Sequence, residues 1–202
     1  FKPTKGLVPT TGNVPNDIGG LHTFLLTFGA MARKVEDLEL MLSVIAGADD
    51  GDPLSVPVTL HSSDSVDVSK LRVGYFLNNG VIAPDKDTTR CLTAGIDKLS
   101  PLVNHITSIT PPEIFKQTAR LVWDTCFLGG DKGLLLSQSF EKTGQTEFSP
   151  LYEQMLKQVR ASSFDTTELR IRMMDTYAYK RAFLAFMKDI DILLCPVTAT
   201  PA

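Results

Sequence analysis

Residues able to do chemistry are few and scattered in this 202-residue chain. The three histidines, His22, His61 and His105, stand isolated, and each reads as structural or solvated rather than as a general base. No Gly-x-Ser-x-Gly turn presents a nucleophile. The three cysteines, Cys91, Cys126 and Cys195, are widely spaced and odd in number, with no histidines at metal-ligand spacing. They read as reduced thiols, the state expected in the cytoplasm, rather than as a disulfide framework or a zinc site.

Four further features could carry function, and each has a plainer reading. Cys195 closes a strand-like run, and open α/β sheets place ligands at such carboxyl ends. With no histidine near it in sequence to form a thiolate, it reads as a small core residue. Trp123 and Phe127 read as core rather than as a ligand wall. Arg33, followed by Glu36 and Asp37, reads as a loop-to-helix ion pair worth ~1 kcal/mol if exposed, in preference to a substrate anchor. The cluster Asp49-Asp50-Gly51-Asp52 looks like a calcium loop only superficially, because the remaining ligand positions and the closing glutamate are missing. No metal and no cofactor are expected.

The elements that must position these residues follow from periodicity. Seven glycines and prolines precede Leu21, so the opening reads as an irregular surface loop with a short strand near Gly6-Leu7-Val8. From Lys34, Val35, Leu38, Met41, Leu42 and Ile45 recur at helical spacing, with Leu40 and Val44 widening the apolar arc. Carboxylates in its first turns favour the positive end of the helix dipole, and Gly47 suits a left-handed cap. This helix is predicted to be buried on most sides. Residues 48–69 read as an exposed connection.

Leu71-Arg72-Val73-Gly74-Tyr75-Phe76 is a predicted strand, ended by Asn78-Asn79-Gly80. Asp85 caps a helix from Lys86 to about Leu99, and His105 to Ile109 makes a second strand. Strand, helix, strand is by default a right-handed parallel crossover. One helix is expected over Ile114–Phe127, an apolar piece over Leu134–Ser137, and a polar loop over Lys142–Phe148. Pro150 starts a helix to Arg160. Asp165 and Glu168 form a capping box that opens the longest helix, to about Lys188. The run Ile190 to Pro196 is a buried strand feeding Val197-Thr198-Ala199.

Composition bounds the class of protein. With 43% hydrophobic residues, 21% charged and a net charge of -3, the chain is of ordinary globular type. No basic stripe or phosphate-binding glycine loop argues for nucleic acid. The apolar run Ile190–Val197 is interrupted by Asp191 and falls well short of the roughly 18 residues a membrane span needs. Phe1 is not an initiator methionine, so the chain is expected to begin inside something longer.

Four separated stretches resemble the amidase signature family of serine amide hydrolases. Phe1-Lys2-Pro3-Thr4-Lys5-Gly6-Leu7-Val8-Pro9 is similar to the segment that follows the family's catalytic loop. Gly29-Ala30-Met31-Ala32-Arg33, with Val35-Glu36-Asp37-Leu38 and Ile45-Ala46-Gly47, resembles its Gly-Pro-Met-Ala-Arg block and following helix, Ala30 replacing the usual proline. Leu71 to Gly80 and Asp191 to Ala202 match later strands. The resemblance implies part of an α/β/α sandwich with a mixed, mostly parallel sheet flanked by helices, and a single incomplete domain over residues 1–202.

It also implies a serine nucleophile, a second serine on a cis peptide and a lysine base, which together hydrolyse carboxamide C–N bonds to carboxylate and ammonia or amine. All three should precede Phe1, so no catalytic residue carries over. Ser43, Ser55, Ser62, Ser63 and Ser65 lack the glycine-rich setting, and Lys2 and Lys5 do not match the base. What carries over is a substrate-binding wall, Val197, Thr198 and Ala199, with the loop around His22 to Phe28.

The expectation is an amidase portion, inactive alone, that contributes scaffold and pocket wall for a small-molecule amide in the cytoplasm. The alternative is a non-catalytic amidase-like binding or interaction module. Losing part of the fold should leave uncovered edges and apolar surface, so self-association is expected, with no nucleic-acid or membrane partner. An α/β domain unrelated to amidases is the remaining reading.

Overall fold

The computed structural model describes residues 1–12, 26–128, 144–145, 147–161 and 164–201. In chain order the elements are α1 (Val35–Ile45), β1 (Arg72–Tyr75), α2 (Lys86–Leu99), β2 (His105–Ser108), α3 (Thr118–Val122), α4 (Pro150–Ala161), α5 (Thr166–Phe186) and β3 (Ile192–Leu194). The expected piece at Leu134–Ser137 lies outside the described residues, as do His22 and most of the loop around it. Among the described residues no helix is long and apolar enough to cross a membrane.

The chain clusters into two compact units, Phe1–Ser65 with Asp124–Leu169 and Val66–Trp123 with Arg170–Ala202. In the first unit the opening segment is a turn where the sequence predicts a strand. Leu7 N donates to Thr4 O at 3.1 Å, and Gly6 takes φ 84°, a left-handed value that breaks any extended run. Gly6 O then accepts from Val56 N at 3.0 Å, and Leu7 O from Gly47 N at 2.9 Å. The Phe1 nitrogen donates to Ala30 O at 2.9 Å, so the first family-like block is stitched to the second.

The acidic cluster is spent on the same loop. Asp52, nearly buried, accepts from Thr10 N (2.8 Å), Thr10 Oγ1 (3.0 Å) and Leu54 N (2.9 Å), which hold its carboxyl below the usual range. Asp49 Oδ1 accepts from Thr11 Oγ1 and Gly51 N.

Helix α1 begins and ends where its pattern predicts, but its burial is corrected. It has no buried residue; Val35 is 76% exposed and Val44 77%, and only Leu38 and Leu42 are half-buried. Helical spacing gives α1 an apolar surface, but among the described residues nothing packs over it closely enough to bury a side chain. The Arg33 ion pair with Glu36 or Asp37 does not form. Lys34 is extended (φ -123°, ψ 150°), so Arg33 lies outside the helical repeat that would bring it over Glu36.

The remaining helices follow their signals. Pro150 opens α4, whose Leu156 and Val159 are buried. The capping box forms reciprocally, Glu168 N donating to Asp165 Oδ1 (2.9 Å) and Asp165 N to Glu168 Oε2 (3.0 Å).

The second unit holds a three-stranded parallel sheet ordered β2-β1-β3, flanked by helices, with Val73 opposite Ile106 and Ile192. The expected parallel strand-helix-strand unit is therefore present. Strand β1 is central, and its Val73 is 1% exposed. Gly74 is there for close packing: a Cβ would stand 2.9 Å from Ile109 Cδ1 and 3.1 Å from Ile190 Cδ1. Asp85 caps α2 by accepting from Thr88 N at 2.7 Å.

The single helix expected over Ile114–Phe127 is instead three pieces: a 3-10 turn (Glu113–Gln117), α3 and a π turn (Trp123–Leu128). Apolar spacing alone does not distinguish hydrogen-bond registers of three, four and five residues. The 3-10 turn seats Phe115 among the rings of Phe76, Tyr179, Phe183 and Phe186, with centroids 5.5–6.2 Å away. Such pairs contribute about 0.5–1.5 kcal/mol each beyond area burial.

Candidate functional site

Parallel strands direct their carboxyl ends to one edge of the sheet, where the chain must turn and side chains from several strands can converge. In the second unit this edge forms a hollow of about 370 Å³. Strand β1 supplies Phe76 and Leu77 to it, and β3 supplies Cys195 and the run Val197-Thr198-Ala199. Phe115 and Thr118 close it from the side.

The wall is pinned by backbone. Phe76 N donates to Leu194 O at 3.1 Å, continuing the ladder past β1, and Asp85 N donates to Ala199 O at 2.8 Å. Thr198 Oγ1 donates to Thr200 O at 2.6 Å, and Thr118 Oγ1 to Tyr179 Oη at 2.8 Å. Cys195 is half-buried, and burial pushes its thiol up, which opposes a nucleophilic thiolate. Among the described residues no acidic or basic side chain lines the hollow.

The structure therefore brings Val197, Thr198 and Ala199 together with Cys195 at one hollow. It does not bring His61 or His105 there. His105 lies on β2, 3.1 Å from Thr107 Oγ1 through Nε2. His61 lies in the first unit beside a second hollow, with Glu39 and Ser62 on the same wall.

A histidine, serine and acid in one wall invite a relay, but none is assembled. Glu39 instead accepts from Ser63 N (2.9 Å) and Ser63 Oγ (2.6 Å), which hold its carboxyl below the usual value. Sequence reasoning missed Phe76, Leu77, Phe115 and Thr118. The strand-end rule that singles out Cys195 reaches Phe76 and Leu77 as well; no local signal reaches Phe115 or Thr118.

This is an α/β arrangement with a ligand-sized hollow at its strand ends. The family model for Amidase matches residues 1–202, and the chain belongs to that family. It is 27% identical to an acylamidase of Rhodococcus erythropolis over 96% of this chain and 41% of that one. It is also 27% identical to fatty acid amide hydrolase 1 of Caenorhabditis elegans, over 86% and 35% respectively.

Among solved structures, a bacterial aryl acylamidase of the amidase signature family superposes with a TM-score of 0.73 at 19% identity, over 98% of this chain and 41% of that one. A fatty acid amide hydrolase gives 0.79 at 19% identity, over 100% and 36%. At that identity the likeness is one of fold. The chain thus spans about two fifths of the length of the relatives it matches.

Proposed function

We propose that residues 1–202 form a single, incomplete amidase-signature domain, supplying scaffold and substrate-pocket wall to a hydrolase of carboxamide C–N bonds. The observation that carries this reading is the hollow at the ends of β1 and β3, walled by Val197, Thr198 and Ala199, in a chain matching the Amidase family throughout. In this reading the wall orients the acyl or leaving group and excludes water. Bond cleavage belongs to a serine, a second serine and a lysine that no residue of this chain matches. The substrate is a small amide, met in the cytoplasm without a cofactor.

The test is turnover. The purified 202-residue chain, given benzamide or propionamide, is expected to release no ammonia above the blank. Ammonia released by the pure chain in proportion to its concentration would overturn the reading.

A second reading, a non-catalytic interaction module, is favoured by one observation: the exposed apolar residues of α1. It also predicts no turnover, together with self-association. The coding sequence upstream of the Phe1 codon separates the two. An in-frame Gly-Ser-rich segment there supports the hydrolase portion, and a start codon supports the module.

A further inference from the structure

We infer that the strand-end hollow takes the uncharged, apolar part of an amide, an aryl ring or a short alkyl chain, and discriminates against amides that carry a second charge. This rests on the reading of the hollow as a substrate wall and deepens it to a substrate class.

The lining is the first ground. Phe76, Phe115, Val81, Ile82, Val197 and Ala199 give the hollow an apolar surface. Its floor is rigid, because Phe115 is only 8% exposed and is held by four other rings. Its rim is open: Ile82 is 65% exposed and Val197 98%.

The polar groups are the second ground, since each side-chain oxygen of the lining is engaged within the protein. Thr118 Oγ1 donates to Tyr179 Oη, and Thr198 Oγ1 donates to Thr200 O. Asn79 Oδ1 accepts from Val81 N (2.9 Å) and Ile82 N (3.3 Å). Nearby charges are engaged too. Lys116 Nζ stands 2.6 Å from Glu113 Oε1, and the Asp85 carboxylate accepts from Thr88 N. A carboxylate or ammonium entering the hollow would lose water and meet no opposite charge, which disfavours it strongly.

Size is the third ground. At about 370 Å³ the hollow sits near the lower end of the ~300–1,000 Å³ typical of small-molecule sites, matching a ring or a short chain rather than a long one.

Binding, rather than turnover, tests this. Benzamide, hexanamide, succinamate and glycinamide are titrated into the 202-residue chain by saturation-transfer NMR. The two neutral apolar amides are expected to bind, and succinamate and glycinamide to bind at least about tenfold more weakly.

Phe115→Ala risks the fold, so two exposed positions carry the mutational test. Ala119→Phe places a ring at the rim and is expected to weaken benzamide and hexanamide about tenfold. Val197→Asp is expected to weaken both and to strengthen glycinamide. Succinamate or glycinamide binding as tightly as hexanamide, no binding of either apolar amide, or indifference to Ala119→Phe would each overturn the inference. Turnover by the chain alone would instead sink the proposed function and leave the binding preference standing.

Discussion

Arg72 and Asp191 are joined as a two-point fork, Nη2 standing 2.8 Å from Oδ1 and Nε 3.0 Å from Oδ2. Arg72 N also donates to Oδ2 at 2.8 Å, and Asp191 N donates to Arg72 O at 2.9 Å. Two residues 119 positions apart are thereby locked at the entry to β1 and β3. The fork supports the register that sets Val73 opposite Ile192, and so aligns the ends of both strands at the hollow.

The fork makes stability depend on acid. Chiefly through the Arg72 side-chain hydrogen bond, and then the Arg72 amide, the Asp191 carboxyl is lowered to about 2. Its folded value lies below its unfolded value of about 3.9, so its contribution is present above that value and fades as pH falls towards 2. The stability gap between wild type and Asp191→Asn, from urea melts, is expected to shrink between about pH 5 and pH 2. A gap constant over that window contradicts a titrating fork.

Two glycines with the same backbone sign should respond differently to alanine. Gly6 (φ 84°) would bring a Cβ 2.6 Å from the Leu54 carbonyl oxygen, whereas Gly12 (φ 81°) has nothing within 4 Å. Gly12→Ala should cost only the left-handed term, about 1 kcal/mol, and Gly6→Ala about 3 kcal/mol. Chemical denaturation of the two variants checks this. Equal losses would mean that the Leu54 contact relaxes freely.

Burial should separate two valines. Val73→Ala empties a site that is 1% exposed in the central strand and should destabilise by about 2 kcal/mol, while Val44→Ala, at 77% exposure, should stay within about 0.5 kcal/mol. Thermal melts of both variants read the difference directly.

The face of α1 should drive association. Light scattering is expected to show the chain growing beyond monomer with concentration, and Val35→Lys with Val44→Lys to reverse this while leaving the circular dichroism spectrum unchanged. A concentration-independent monomer would remove the proposal of self-association.

Local chemistry made much of the fold legible. The Asp85 cap, Pro150, the Asp165–Glu168 box and the α1 spacing each act within a few residues, and the helices start there. The burial of α1 was not legible, because the pattern shows that a helix has an apolar face but not whether anything covers it. Gly6 escaped for a similar reason: its φ answers to Leu54 and Val56, far along the chain. At the hollow, the strand-end rule pointed to Cys195, which nonetheless read as a core residue in the sequence, and the family resemblance pointed to Val197–Ala199. Phe115 entered through ring contacts with Tyr179, Phe183 and Phe186 that no local pattern encodes.

Asp85 ties the turn after β3 to the start of α2. The amide of Asp85 reaches the carbonyl of Ala199, while the carboxylate of the same residue starts α2. The turn after β3 is therefore not a free-standing cassette. Transplanting residues 196–200 from a relative would keep their backbone conformation only if the stretch around residue 85 travelled with them, so the two segments should be engineered as one unit.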